Sequence, residues 1–120
     1  MSTDEFISDA IAAGQKNGMN ALDAEQRLVW LISEAEVLCD MEGIDAFLDR
    51  YSLEWLPDSA AAFDAVGAHE IAMCLHTIQA GSAVNDQLLD RLGNLITSRA
   101  GYDYDAICRV VEQRHSARDQ

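Results

Sequence analysis

The chain has one proline, Pro57, in 120 residues, and only eight lysines and arginines to set against 21 aspartates and glutamates. No apolar run in it approaches 18 residues, so no part of it is expected to cross a bilayer as a helix. The first residues, MSTDEFISDAIAAGQKNG, carry acids where a secretory signal needs bases, and a cytoplasmic protein is expected. Its three cysteines, Cys39, Cys74 and Cys108, are odd in number, widely spaced and without a CxxC pair. That pattern points away from a disulfide framework and towards reduced core residues. Alternating apolar and polar runs of the kind a half-buried strand needs are also missing, which argues against a sheet.

What is present is helical periodicity. Hydrophobic residues make up 49% of the chain and charged residues 24%, enough apolar surface for one self-sufficient domain. Ser2 and Glu5 are three apart, as in a capping box, and the spacing predicts a first helix over about 4–16. Asn20 or Asp23 then caps a longer helix with Leu28, Leu31, Ile32, Ala35, Leu38 and Cys39 along one stripe. Trp30 and Val37 lie off that stripe, so this helix is expected to be central and touched on two sides.

After Gly43 a short third helix carries Ile44, Phe47, Leu48 and Tyr51, and Pro57, suited to a first turn, opens a fourth that runs to about Val66. A fifth holds Ile71, Cys74, Leu75 and Ile78. A sixth starts at Asn85 or Asp86, and a seventh starts at Asp103 and gives way to a frayed tail from about Gln113. The glycines fall between these periodic segments. The expected fold is all-α, a compact single-domain bundle of about six to seven short helices spanning 1–120.

The charge is unevenly placed. Residues 1–68 hold 14 acids and 3 bases, net -11, whereas 69–120 hold 7 acids and 5 bases, net -2. From Glu34 to Asp64 nine carboxylates face one cation, Arg50. A field of this sign repels nucleic acid and anionic lipid and attracts basic proteins, so neither direct nucleic-acid binding nor membrane binding is expected. Solubility alone is the competing explanation of the charge.

The chemical alternatives have little behind them. There is no HExxH, EF-hand loop, phosphate-binding glycine loop or Ser/His/Asp arrangement, and His69, His76 and His115 are scattered. His76 borders the Ile71/Leu75/Ile78 stripe and reads as a half-buried histidine. Cys74 and His76 point different ways on a helix, so they make no nucleophile–base pair. Neither catalytic residues nor a metal or cofactor site is expected. Phe47, Tyr51, Trp30 and Trp55 are at helical spacing and read mainly as core, with Tyr51 or Trp55 the candidates for an exposed contact.

The segments Glu36-Val37, Glu42-Gly43-Ile44-Asp45-Ala46-Phe47-Leu48 and Ala60 to Ala68 resemble a bacterial all-helical family, mostly of unknown function and related to a Neisseria-type DNA-mimic protein. The match covers roughly 28–80. Where that family has Asn-Gly-Gly-aromatic, this chain has Met41-Glu42-Gly43-Ile44, and Ala46 and Leu48 replace its usual glutamine and second aromatic. The resemblance implies an acidic helical domain whose carboxylates imitate DNA phosphates towards a DNA-binding protein.

Spacing alone makes the idea physical, because carboxylates at i and i+4 are about 6 Å apart along a helix. Like charges so placed also oppose the helix by a few tenths of a kcal/mol per pair. The candidate protein-binding residues are Glu36, Asp40, Glu42, Asp45, Asp49, Glu54, Trp55 and Asp58, and the expected partner is a basic protein, a DNA-binding one included. Two alternatives stay open: an immunity or antitoxin-type inhibitor of a basic nuclease, and an oligomeric structural protein, a homodimer for instance, joined through Trp30, Val37 and Met41.

Overall fold

Helix follows helix through six α-helices and one 3-10 turn in a computed structural model that describes residues 2–81 and 85–119, with backbone only for 52, 53 and 115–119. The α-helices are α1 (Thr3–Asn17), α2 (Ala24–Met41), α3 (Ile44–Ala65), α4 (His69–Gln79), α5 (Asp86–Thr97) and α6 (Tyr104–Asp119). The 3-10 turn Met19–Ala21 links the first two. No strand occurs among the described residues. The side chains of Leu53 and His115 lie outside the described residues.

The helix ends follow local chemistry. Ser2 accepts a hydrogen bond from the Glu5 amide, Asn85 accepts one from the Leu88 amide, and Asp23 and Gln26 form a reciprocal capping box. Of the two candidate caps for α2, Asp23 is the one used. The α2–α3 turn needs Gly43, whose φ of 99° is in the region that a side chain disfavours. Gly67 and Gly101, each after a helix end, approach so closely that a Cβ on Gly101 would meet the Gly67 carbonyl oxygen at 3.2 Å.

α2 is the central element, packed against α1, α3, α5 and α6. Trp30 is buried under α1, which meets the expectation of contact on two sides. Phe47, Leu56, Phe63, Ile71, Leu75, Leu92 and Ile96 are almost completely buried and form one continuous core with α2. Such side chains supply most of the driving force for folding, about 1.5–3 kcal/mol each for full burial.

Several local expectations are corrected. The third and fourth predicted helices are one 22-residue helix, α3, and Pro57 is inside it rather than in a first turn. Pro57 is exposed, and its ring removes one amide donor from the helix ladder. Core packing on both sides of the proline, by Tyr51 and Leu56 before it and by Ala60 and Phe63 after it, outweighs the local cost. Pro57→Ala is therefore expected to raise the unfolding free energy by about 2 kcal/mol, roughly 3 from restored helix geometry less the added freedom of the unfolded chain. Urea unfolding measures it; an unchanged midpoint would mean that the helix is already relaxed around the ring.

His76 is exposed, and α6 continues to Asp119 instead of ending near Gln113. Two glycines, Gly14 and Gly93, lie inside helices rather than between them.

Candidate protein-binding surface

The acidic stretch does not form a single face. At about 100° per residue, Asp45 and Asp49 lie on one side of α3, and Glu54 and Asp58 lie roughly half a turn round and up to about 20 Å further along. The burial pattern explains the change. In the first half of α3 the core side is made by Phe47 and Tyr51, whereas in the second half Leu56, Ala60 and Phe63 are buried along the line that Asp45 and Asp49 occupied. The exposed side of the helix therefore swings round as it passes Pro57.

One group of candidates gathers at the elbow where α2 hands over to α3. Asp40 and Glu42 are at the end of α2, and Asp45 and Asp49 are in the first two turns of α3. All four are exposed, and none of their carboxylates has a hydrogen bond or ion pair among the described residues. Asp45 is favourably placed, in the first turn of α3. Asp40 and Glu42 are not, because a helix C-terminus carries partial negative charge and the last turn of α2 has no basic residue.

In the last turns of α2 two apolar side chains are open to water, Val37 at 48% exposure and Met41 at 76%. They share a face of α2 with Trp30, at spacings of 7 and 11 residues. Over Trp30 that face is covered by α1; at Val37 and Met41 it is open.

The remaining candidates are elsewhere. Glu36 is half-buried and receives a hydrogen bond from Arg99 Nε at 3.1 Å. Burial holds its pKa above the ordinary range, and nearby Asp40 adds to the rise while Arg99 opposes it. Arg99 is in the left-handed region, φ 53°, at the end of α5. Tyr102, whose buried hydroxyl lacks a well-aligned hydrogen bond, has its phenol pKa raised by burial and by the Glu36 charge.

Trp55 is half-buried, with the Arg27 guanidinium 5.1 Å from its ring centroid. Tyr51 is buried and cannot serve as an exposed contact; its phenol is pushed up to about 12, chiefly by burial. The exposed apolar side chains of α2 are Val37 and Met41, two of the three residues that the sequence offered as an apolar seam, whereas the third, Trp30, is buried; Met73 on α4 is exposed as well.

Glu34 resembles Glu36: burial raises its pKa, and Arg50 Nη1, 3.8 Å away, opposes the rise. A carboxyl with a higher pKa folded than unfolded binds its proton more tightly in the native state. Its contribution to stability therefore increases as pH falls through the folded value towards the ordinary one near 4.3. Relief of self-repulsion at net charge -13 has the same sign. The urea midpoint is expected to rise on going from about pH 8 to about pH 5.5, and Glu34→Gln should flatten the rise.

The thiols are poorly placed for reactivity. Burial and Asp40 push Cys39 up to about 11, and burial is also the main cause of the raised pKa at Cys74 and Cys108. All three cysteines are free. No helix among the described residues is long and apolar enough to cross a membrane.

The chain matches no protein-family model, no curated protein and no solved structure. Its functional reading therefore rests on its own residues.

Proposed function

We propose that this is a cytoplasmic acidic interaction module that docks a basic protein, a DNA-binding protein being the leading class, through the α2–α3 elbow. The observation that carries the reading is the set Asp40, Glu42, Asp45 and Asp49, exposed and without cationic partners where α2 gives way to α3, together with the open side chains of Val37 and Met41 in the last turns of α2. Asp40 and Glu42 at the C-terminus of α2, where no basic residue offsets them, oppose helix formation, a cost that a binding role accounts for and that solubility alone does not require.

In this reading the acids attract and orient a cationic surface, and the two apolar side chains add contact area that loses water on docking. Imitation of DNA phosphates is one form of it, since duplex charges recur every 3.4 Å per strand and the i, i+4 acids are about 6 Å apart. The protein acts as a binding partner rather than an enzyme, with thiols that burial makes poor nucleophiles. Self-association through Val37 and Met41 is disfavoured, because it would bring the elbow acids of two copies together.

The test is capture from a bacterial lysate on immobilised protein, followed by a salt gradient. A specific basic protein released at moderate salt supports the reading. Capture that salt leaves unchanged, or a salt-insensitive dimer of the protein itself, overturns it.

A further inference from the structure

Away from the elbow, three unpaired charges line a small half-open cleft whose wall is part polar and part apolar. It has a volume of about 160 Å³ and is lined by Ala24, Arg27, Leu28 and Leu31 of α2, Asp58, Ala61 and Ala62 of α3, and Arg114 of α6. Arg27, Arg114 and Asp58 have no ion-pair partner among the described residues, neither one another nor any other charge. By contrast, Arg50, Arg91 and Arg99 each have a glutamate. Lys16 and Arg109 also lack an ion-pair partner among the described residues, but Arg27 and Arg114 are two such cations on one cleft.

Arg27 is held in place. Its Nη2 donates to the Leu22 carbonyl at 2.9 Å, and its guanidinium lies against the Trp55 ring. Its Nε is shielded from water and has no acceptor. A guanidinium fixed by stacking and one hydrogen bond has lost much of its rotational freedom, so it gives up less on engaging a carboxylate.

From these features we infer that the cleft binds a free aliphatic α-amino acid, its carboxylate facing Arg27 and Arg114, its ammonium facing Asp58 and its side chain resting on Leu28, Leu31 and Ala62. Each charge of such a zwitterion meets an opposite, unpaired charge on the wall. A plain carboxylic acid would leave Asp58 opposed, and a plain amine would meet two arginines. The volume is about that of a cavity known to hold one benzene molecule, and an isobutyl side chain is smaller than that ring. This site is separate from the elbow and independent of the function proposed there.

Titration of the intact protein with L-leucine, followed by calorimetry and by tryptophan fluorescence, tests the assignment, since Trp55 stacks on one of the binding groups. Saturable binding is expected at millimolar concentrations or below. Arg114→Gln and Asp58→Asn, both at solvent-accessible positions, are each expected to weaken it about tenfold, as for loss of one charge-assisted contact.

4-Methylpentanoate, which lacks the ammonium, should bind more weakly than leucine to the native protein and better to Asp58→Asn. Isoamylamine should not bind. No saturable leucine binding, or leucine binding that both variants leave unchanged, overturns the assignment. So does 4-methylpentanoate binding as tightly as leucine with no effect of Asp58→Asn, which would make the cleft a simple anion site.

Discussion

Gly14→Ala is expected to destabilise the protein by about 2 kcal/mol, whereas Gly93→Ala, the same change in another helix interior, is expected to stabilise it by up to about 1. In an exposed helix, alanine is better than glycine by about 1 kcal/mol, and at Gly93 nothing opposes that gain. A Cβ there would meet Ile44 at 3.8 Å, an ordinary contact. At Gly14 the Cβ would come within 2.5 Å of two carbons of the Trp30 ring.

Trp30 cannot simply turn away, because it is 6% exposed between α1 and α2. Either the ring or the whole of α1 must shift. Overpacking of this kind costs up to about 3 kcal/mol, which exceeds the propensity gain. Trp30→Leu should reverse the sign at position 14: the double variant should be more stable than the two single effects predict, the mark of direct contact. Equal effects of Gly→Ala at 14 and 93 would mean that α1 does not close on Trp30 as described.

The second large effect concerns binding. Asp45→Lys combined with Asp49→Lys replaces two of the elbow's four unpaired carboxylates by cations. Steering by a field of one sign changes association rates by about 10- to 1,000-fold, so association with the captured basic protein should slow by at least about tenfold at low salt. Screening shortens the range of exposed charges to about 8 Å at physiological ionic strength, so the gap between native and variant should narrow as salt is added. Stopped-flow mixing at two ionic strengths gives both numbers. Stability should fall by no more than about 1 kcal/mol: both aspartates are exposed, two lysines at i, i+4 repel about as two aspartates do, and the loss is confined to the favourable place of Asp45 in the first turn of α3.

Much of the fold was legible in residues that act locally. Ser2, Asp23 and Asn85 mark three helix starts, and Gly18, Gly43, Gly67, Gly81 and Gly101, all with positive φ, mark the stops. Pairing an apolar stripe with those ends is enough to give an all-α bundle with α2 at its centre.

The rest depended on contacts between helices. Pro57 reads locally as a start because its cost is local, while the burial of Leu56, Ala60 and Phe63 that keeps α3 continuous comes from other helices. Gly14 reads as a weak last turn until Trp30 is seen against it. The acids from Glu36 to Asp58 read as one face because sequence counts charges without recording that the buried side of α3 changes. That change separates Asp45 and Asp49 from Glu54 and Asp58, and Arg99, 63 residues from Glu36, removes Glu36 from the open surface.

This separation provides the most direct test of the proposed function. Asp45→Lys/Asp49→Lys and Glu54→Lys/Asp58→Lys each change the net charge by four, from -13 to -9, but on opposite sides of α3. Capture of the basic partner should be compared for the two variants, each checked for native fold by circular dichroism, across the same salt gradient. If the elbow is the docking surface, the first variant loses capture and the second retains it. Equal loss in both would mean that only total charge matters, and loss confined to the second would place docking on the other side of the molecule; either result contradicts the elbow as the binding site.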